Sequence, residues 1–220
     1  MTAIVDYLIA RDGPTEPSGL AYDYVLGGDG LFVAAHNRYL DARVPVATAT
    51  VRGLPPLFPS VALRTGRLPQ GIWDVIVAVS SAWARAEREV LFSVVYDEVL
   101  GYQIVQPRQA TGPTAVRYRP IESAVLEIHS HHRFAARFSP TDDADEQSLR
   151  VYGVLGRLGS DRPEVALRVG AYGFFMPVPW DTVFDGDRGG FSDVHFDQPI
   201  ESDRAGEGAA QTDEDDELPD

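Results

Sequence analysis

The chain has 220 residues, no cysteine and a formal net charge of -14. Its length suits one to one-and-a-half domains, and a hydrophobic content of 44% is enough to bury a sizeable core. The missing cysteines exclude disulfides, thiolate metal sites and cysteine nucleophiles, and the acidic balance argues against direct nucleic-acid contact, which needs a basic surface.

The opening stretch MTAIVDYLIARDG has neither the basic start nor the long apolar run of a signal peptide. No apolar run approaches the ~20 residues that cross a bilayer, so a soluble cytoplasmic protein is expected. Residues 20–26, LAYDYVL, alternate and are rich in aromatic and β-branched side chains. Gly27-Gly28-Asp29-Gly30 follows, then the run from Leu31 to His36, which together predict a β-hairpin. His36 stands alone on an apolar strand and reads as a packing residue. Val44 to Val51 is a third strand, and the Pro-rich RGLPPLFPS at 52–60 leaves no room for helix. Residues 1–67 therefore read as a small β-rich N-terminal unit.

Pro69 opens a helix expected to end near Arg88. Ile72, Val75, Ile76, Val79, Trp83 and Ala86 recur at three-to-four spacing and predict its apolar face. Strands are expected at 90–98, 101–109, 115–120 and 123–131, several of them near-continuously apolar as central strands are. Thr141 reads as the N-cap of a short helix whose first turn carries Asp142, Asp143 and Asp145. Val151 to Leu158 and Val165 to Tyr172 read as further strands. The expected class is mixed α/β (α+β), with a main domain over 68–184. Residues 185–220 read as a flexible acidic tail; 201–220 alone carry nine acidic residues and one Arg. The carboxylates of 185–197 lack the spacing of a calcium loop.

The chemistry concentrates in His129-Ser130-His131 and the Asp142 that follows. Residues two apart on a strand share a face, so His129 and His131 aim two imidazoles at one point, while Ser130 faces the other way in a structural role. A loop can return Asp142 as a third ligand. Two His and one carboxylate leave a fourth tetrahedral position open, the pattern of a catalytic zinc rather than a structural one. Without partners, a His-x-His is common on surface strands and usually binds nothing.

The complete string is more specific. His129, Ser130, His131, seven residues, Ser139, Pro140, Thr141 and Asp142 reproduce the H-S-H-x7-S-x2-D signature of the JAMM (MPN+) metallopeptidases. The stretch LEIHSHHRFAARFSPTDDADEQSLRVYGVLGRL followed by RPEVALRVGAYGFF resembles the bacterial Mov34/MPN/PAD-1 group, most strongly over 125–176. The resemblance implies a curved mixed sheet flanked by helices, with one zinc ion at the sheet's edge. It implies His129, His131 and Asp142 as metal ligands, Ser139 as an oxyanion donor, and a glutamate about forty residues before the first His as general base. Glu89 stands forty residues before His129, although the glycine of the family's usual Glu-x-x-Gly-x-Leu is absent from Glu89-Val90-Leu91-Phe92-Ser93-Val94. Glu127 is the second candidate base, or an acceptor that orients an imidazole. Glu87 and Glu98 read as solvated. His132 stands where the family usually has proline and reads as exposed, not as a ligand.

The implied activity is zinc-dependent hydrolysis of amide bonds at the C-terminal tail of a ubiquitin-like or sulfur-carrier-like protein, beside an activating-enzyme-like operon partner. The basic residues are all Arg, with no Lys. That suits either an arginine-rich genome or a life among lysine-modifying machinery. Two other readings stand beside this one. One is a non-catalytic MPN scaffold, whose members usually lack the ligands. The other is a JAB-type protein of a plasmid or DNA-metabolism system, such as a PRTRC cluster, acting on a partner and not on DNA.

Overall fold

The computed structural model describes residues 4–111 and 116–195. It is a mixed α/β fold built on two mixed sheets and few helices. The first sheet has five strands in sequence order: β1 (Val5–Ile9), β2 (Tyr22–Gly27), β3 (Gly30–His36), β4 (Leu40–Thr48) and β5 (Ser60–Leu63). β1 runs parallel to β2 and the remaining pairs are antiparallel. The predicted hairpin is β2–β3. Its Gly28 has no room for a side chain, because a Cβ there would lie 2.3 Å from the Leu54 carbonyl oxygen. The Pro-rich connector is thereby laid against the turn, with the Gly28 N–H donating to Pro55 O at 2.7 Å.

β4 begins four residues before the expected Val44. The Asn37 side chain accepts from the N–H groups of Tyr39 and Leu40, which makes a tight turn and starts the strand at once. Leu40, Ala42 and Val44 then point inward between Asp41 and Arg43. β1 and β5 are short edge strands that no clear alternation marks.

The helix α1 (Gln70–Ala84) ends earlier than expected, and Glu87 turns into the left-handed region at φ 53°. Its buried face is Trp73, Ile76 and Ser80, whereas Val75 is exposed. The face is rotated because Trp73 packs against Trp180, Phe184 and Phe191, with ring centroids 5.2–5.5 Å apart.

The second sheet follows. β6 (Leu91–Asp97) and β7 (Gly101–Val105) form a hairpin, and β8 (Gln109–Thr111) with β9 (Val116–Tyr118) forms a separate ribbon. Then come β10 (Ala124–Ser130), α2 (Pro140–Asp145), β11 (Arg150–Gly156), β12 (Glu164–Ala171), β13 (Phe174–Pro177), α3 (Trp180–Val183) and β14 (Ser192–Asp193). The order is β13-β12-β11-β10-β6-β7, with β14 beside β12. β10 and β11 are parallel and lie in the middle, buried along their whole length, as their continuous apolar runs require. The largest apolar cluster joins the sheets, with Val33, Leu40 and Val44 meeting Leu126, Ile128, Val151 and Val169.

The start of the segment expected as a flexible tail is held to the fold. Ser192 and Asp193 pair with β12, and Asp193 accepts from the Trp180 N–H at 2.7 Å. Residues 196–220 lie outside the described residues. Among the described residues, no helix is long and apolar enough to cross a membrane.

Candidate metal centre

The register of the second sheet explains the spacing of the candidate residues. β6 and β10 are antiparallel, with Phe92 opposite Ile128 and Leu91 opposite His129. The ladder runs one step further, through the Ser130 N–H to Val90 O at 3.0 Å. The next step puts Glu89 opposite His131, on the face of Leu91 and His129. The forty residues between Glu89 and His129 are thus the contour of two antiparallel strands and what lies between them. Ser130, facing the other way, accepts from the Val90 N–H at 3.1 Å.

Beyond β10 the chain must turn back sharply to bring Asp142 to the histidines. The loop lies on the end of β11, where the His131 N–H donates to Leu155 O at 2.7 Å and the Arg157 N–H to Phe134 O at 2.6 Å. Gly156 makes this possible, since a Cβ there would sit 2.2 Å from the Ala136 backbone nitrogen. His132 is buried, 2% exposed, with φ 30°, where the sequence suggested an exposed residue. The tight turn drives it inward, and its ring lies 5.3 Å from that of Phe134.

The cap of α2 is Ser139 and not Thr141. Pro140 at the first helical position sets the start two residues earlier than the run of carboxylates suggested. Ser139 Oγ accepts from the Asp142 N–H at 3.2 Å, and Asp142 Oδ2 accepts from the Ser139 N–H at 2.6 Å and from its hydroxyl at 2.8 Å. This capping box fixes one carboxylate oxygen and leaves Oδ1 aimed at the histidines, 3.6 Å from His129 Nε2. Asp143 and Asp145, expected as first-turn carboxylates, have further contacts. Asp143 accepts from Arg168, and Asp145 lines the cavity.

His129 and His131 bring their Nε2 atoms to 3.0 Å, and the ligand atoms of His129, His131 and Asp142 all lie within 4.8 Å of one another. Two nitrogens about 2.05 Å from a tetrahedral ion would be about 3.3 Å apart, so the group could hold one metal ion. The same contact is a hydrogen bond when one Nε2 carries a proton. His131 Nδ1 lies 3.3 Å from Ala135 O. A proton on Nδ1 satisfies that carbonyl and leaves Nε2 with its lone pair facing the centre.

The charge states suit the same role. Burial holds the His129 pKa below the usual imidazole range, helped by His131 and Arg168 and opposed by Asp142. Burial also lowers His131, against the pull of Ala135 O and Asp142. Burial raises Asp142, but His129, Ser139 and His131 outweigh it and keep the carboxyl below its ordinary value. Two neutral imidazoles and one carboxylate are the forms that bind a cation.

Glu89 and Ser139 line the same cavity of about 260 Å³, with Leu91, Tyr118, Phe134 and the three candidate ligands. The Glu89 side chain is 4% exposed, and among the described residues it has no hydrogen bond or ion pair. Burial, then the neighbouring Asp142 charge, raises its pKa to about 7. Glu127 is engaged elsewhere. Arg150 holds it at 2.6 Å, and the Tyr118 hydroxyl donates to it at 3.2 Å. Glu87 and Glu98 are exposed partners of Arg133 and Arg38.

Sequence reasoning missed Tyr118, Glu146, Arg150 and Arg168. The last two left a signal: an arginine inside a strand buried on both faces must have a buried partner. No protein-family model matches the chain, and no curated protein matches it.

Proposed function

We propose that this chain is a metal-dependent peptidase of the JAMM type. It would hydrolyse an amide at the C-terminal tail of a ubiquitin-like or sulfur-carrier-like protein. The observation that carries the reading is the meeting of His129, His131 and Asp142 at one end of β10, with an unpartnered, buried Glu89 in the same cavity. The seven-stranded mixed sheet with α1 beside it is compatible with the fold that the resemblance implies, although β10 is an interior strand and the ligands sit at its end.

His129, His131 and Asp142 would hold one zinc ion. The ion supplies Lewis-acid chemistry, making water acidic enough to act as a nucleophile near neutral pH and polarising a carbonyl. Glu89 serves as general base and then general acid: its carboxylate takes a proton from the attacking water and returns it to the departing amine. A pKa of about 7 suits both directions of transfer near neutral pH. Ser139 keeps Asp142 turned towards the histidines, and its hydroxyl, in the same cavity, would turn towards a developing oxyanion.

The test is metal analysis with a cleavage assay on fusions ending in ubiquitin-like or sulfur-carrier-like tails. Glu89→Gln should keep its zinc and lose at least about a hundredfold in rate. His129→Ala should lose both. Wild-type rate should rise with pH as the Glu89 carboxylate forms, on a limb that the bound cation draws below the metal-free value of about 7. A purified chain that takes up no metal would end this reading.

A further inference from the structure

The six-residue helix α2 delivers Asp142, yet none of its own residues is buried. A helix this short is unstable alone, so something outside it must fix its position. Arg168 on β12 meets that need. Its side chain is 2% exposed, and its guanidinium reaches across to the helix. Nε and Nη2 donate to Glu146 Oε2 at 2.9 and 2.6 Å, and Nη1 donates to Asp143 Oδ1 at 2.6 Å. The guanidinium carbon lies 3.8 Å from the ring centroids of both Phe138 and Phe175. Phe138 precedes the cap Ser139, Asp143 follows Asp142, and Glu146 ends the helix. The contacts of Arg168 therefore bracket the ligand from both sides.

β12 is itself firmly placed. Arg168 sits opposite Tyr152 of β11 and Pro177 of β13, and β11 pairs Val154 with His129. One sheet thus positions the histidines directly and Asp142 through Arg168. We infer that Arg168 is a positioning residue for the metal centre: it locks the arm carrying Asp142 and so sets the affinity of the site for its ion. This rests on the metal-binding reading above. A buried ion pair is weak evidence of stability, because desolvation offsets much of the attraction. What it does provide is geometry, and the planar five-donor fork of arginine, stacked on two rings, is a geometry lysine cannot copy.

The experiment compares wild type, Arg168→Lys and Glu146→Gln as full chains, at a temperature where circular dichroism shows each folded. Zinc affinity is read by competition with a chromophoric chelator, and amide exchange is followed in the metal-free proteins. Arg168→Lys should weaken zinc binding by about 10–100-fold, the usual effect of losing a residue that orients a ligand. Exchange should quicken at the α2 amides of Asp143 and Glu146 and stay unchanged along β10–β12. Glu146→Gln, which keeps the shape and one acceptor oxygen for the guanidinium, should weaken binding less, in the same direction. It decides the matter if Arg168→Lys does not fold. Wild-type affinity in either folded variant, or exchange that quickens equally across the sheet, would overturn the inference. Failure of the wild type to take up zinc would instead remove the metal-binding reading beneath it.

Discussion

The two sheets treat charge in opposite ways. In the five-stranded sheet, the ion pair Arg64–Asp41 lies at the surface, with each side chain nearly half exposed. In the seven-stranded sheet, Arg150, Glu127 and Arg168 are each at most 5% exposed and every one is paired. Removing charges from water costs several kcal/mol per ion, which a strand does not bear without return. The buried pairs lie beside and beneath the candidate metal centre; among the described residues the five-stranded sheet has no buried ion pair, and its buried carboxylate, Asp23, is held by the Ser18 N–H and hydroxyl instead. The comparison teaches that the second sheet gives up stability for placement where a group of ligands must be held.

The sharpest way to break that contrast is to remove one partner inside. Arg150 forms an ion pair with Glu127 at 2.6 Å and donates to Ile121 O at 3.1 Å. Arg150→Met would strand a buried carboxylate and should cost about 3–5 kcal/mol in urea unfolding. Adding Glu127→Gln should recover much of the loss. If the double variant is no better than the single one, the charge of Glu127 is not what destabilises it.

Glu89 gives the second effect, with the sign reversed. Its folded pKa of about 7 stands above the ordinary carboxyl value of 4.5. The folded state holds the proton more tightly, so this group favours folding below about pH 4.5 and loses that contribution as pH rises through 7. The loss in the metal-free chain is on the order of 3 kcal/mol. Glu89→Gln should therefore raise metal-free stability at pH 8 and leave it nearly unchanged at pH 4. Equal stability at pH 8 would show that Glu89 is not held in the unfavourable surroundings described.

Much of this contrast was legible in the sequence. The continuous apolar runs of β10, β11 and β12 marked strands covered on both faces, and the alternation of β2 marked a sheet with a partly exposed side. His129 and His131 stood out because the two-residue repeat of a strand dictates a shared face, and Asp142 through its place in the H-S-H-x7-S-x2-D string. Other features depended on contacts that no local pattern encodes. The face of α1 turned because Trp73 found aromatic partners more than a hundred residues away. The cap moved to Ser139 because Pro140 and Asp142 act together, while reading each residue singly favoured Thr141. Arg168 was hidden in an apolar run, and only the fold shows what it grips.

Ser139 gives a third, smaller effect. Loss of its cap in Ser139→Ala should cost about 1 kcal/mol of stability. It also takes the hydroxyl donor from Asp142 Oδ2 and leaves it the backbone N–H alone, so on the metal-binding reading proposed above zinc affinity should fall with it. A variant that loses stability and keeps full affinity would confine Ser139 to capping the helix.

The smallest effect belongs to the exposed sheet. Arg64 makes a two-pronged contact with Asp41, at 2.8 and 2.6 Å, in a geometry as good as that of the buried pairs. Both partners are well solvated, so water and salt already screen them. Arg64→Ala should change stability by no more than about 1 kcal/mol, and the difference should shrink further in molar salt. The closest approach is 2.6 Å both here and in Arg150–Glu127, the exposed pair is the more fully hydrogen-bonded of the two, and the inner pair is the buried one. A cost for Arg64→Ala equal to that for Arg150→Met would mean that burial does not set what an ion pair is worth in this fold.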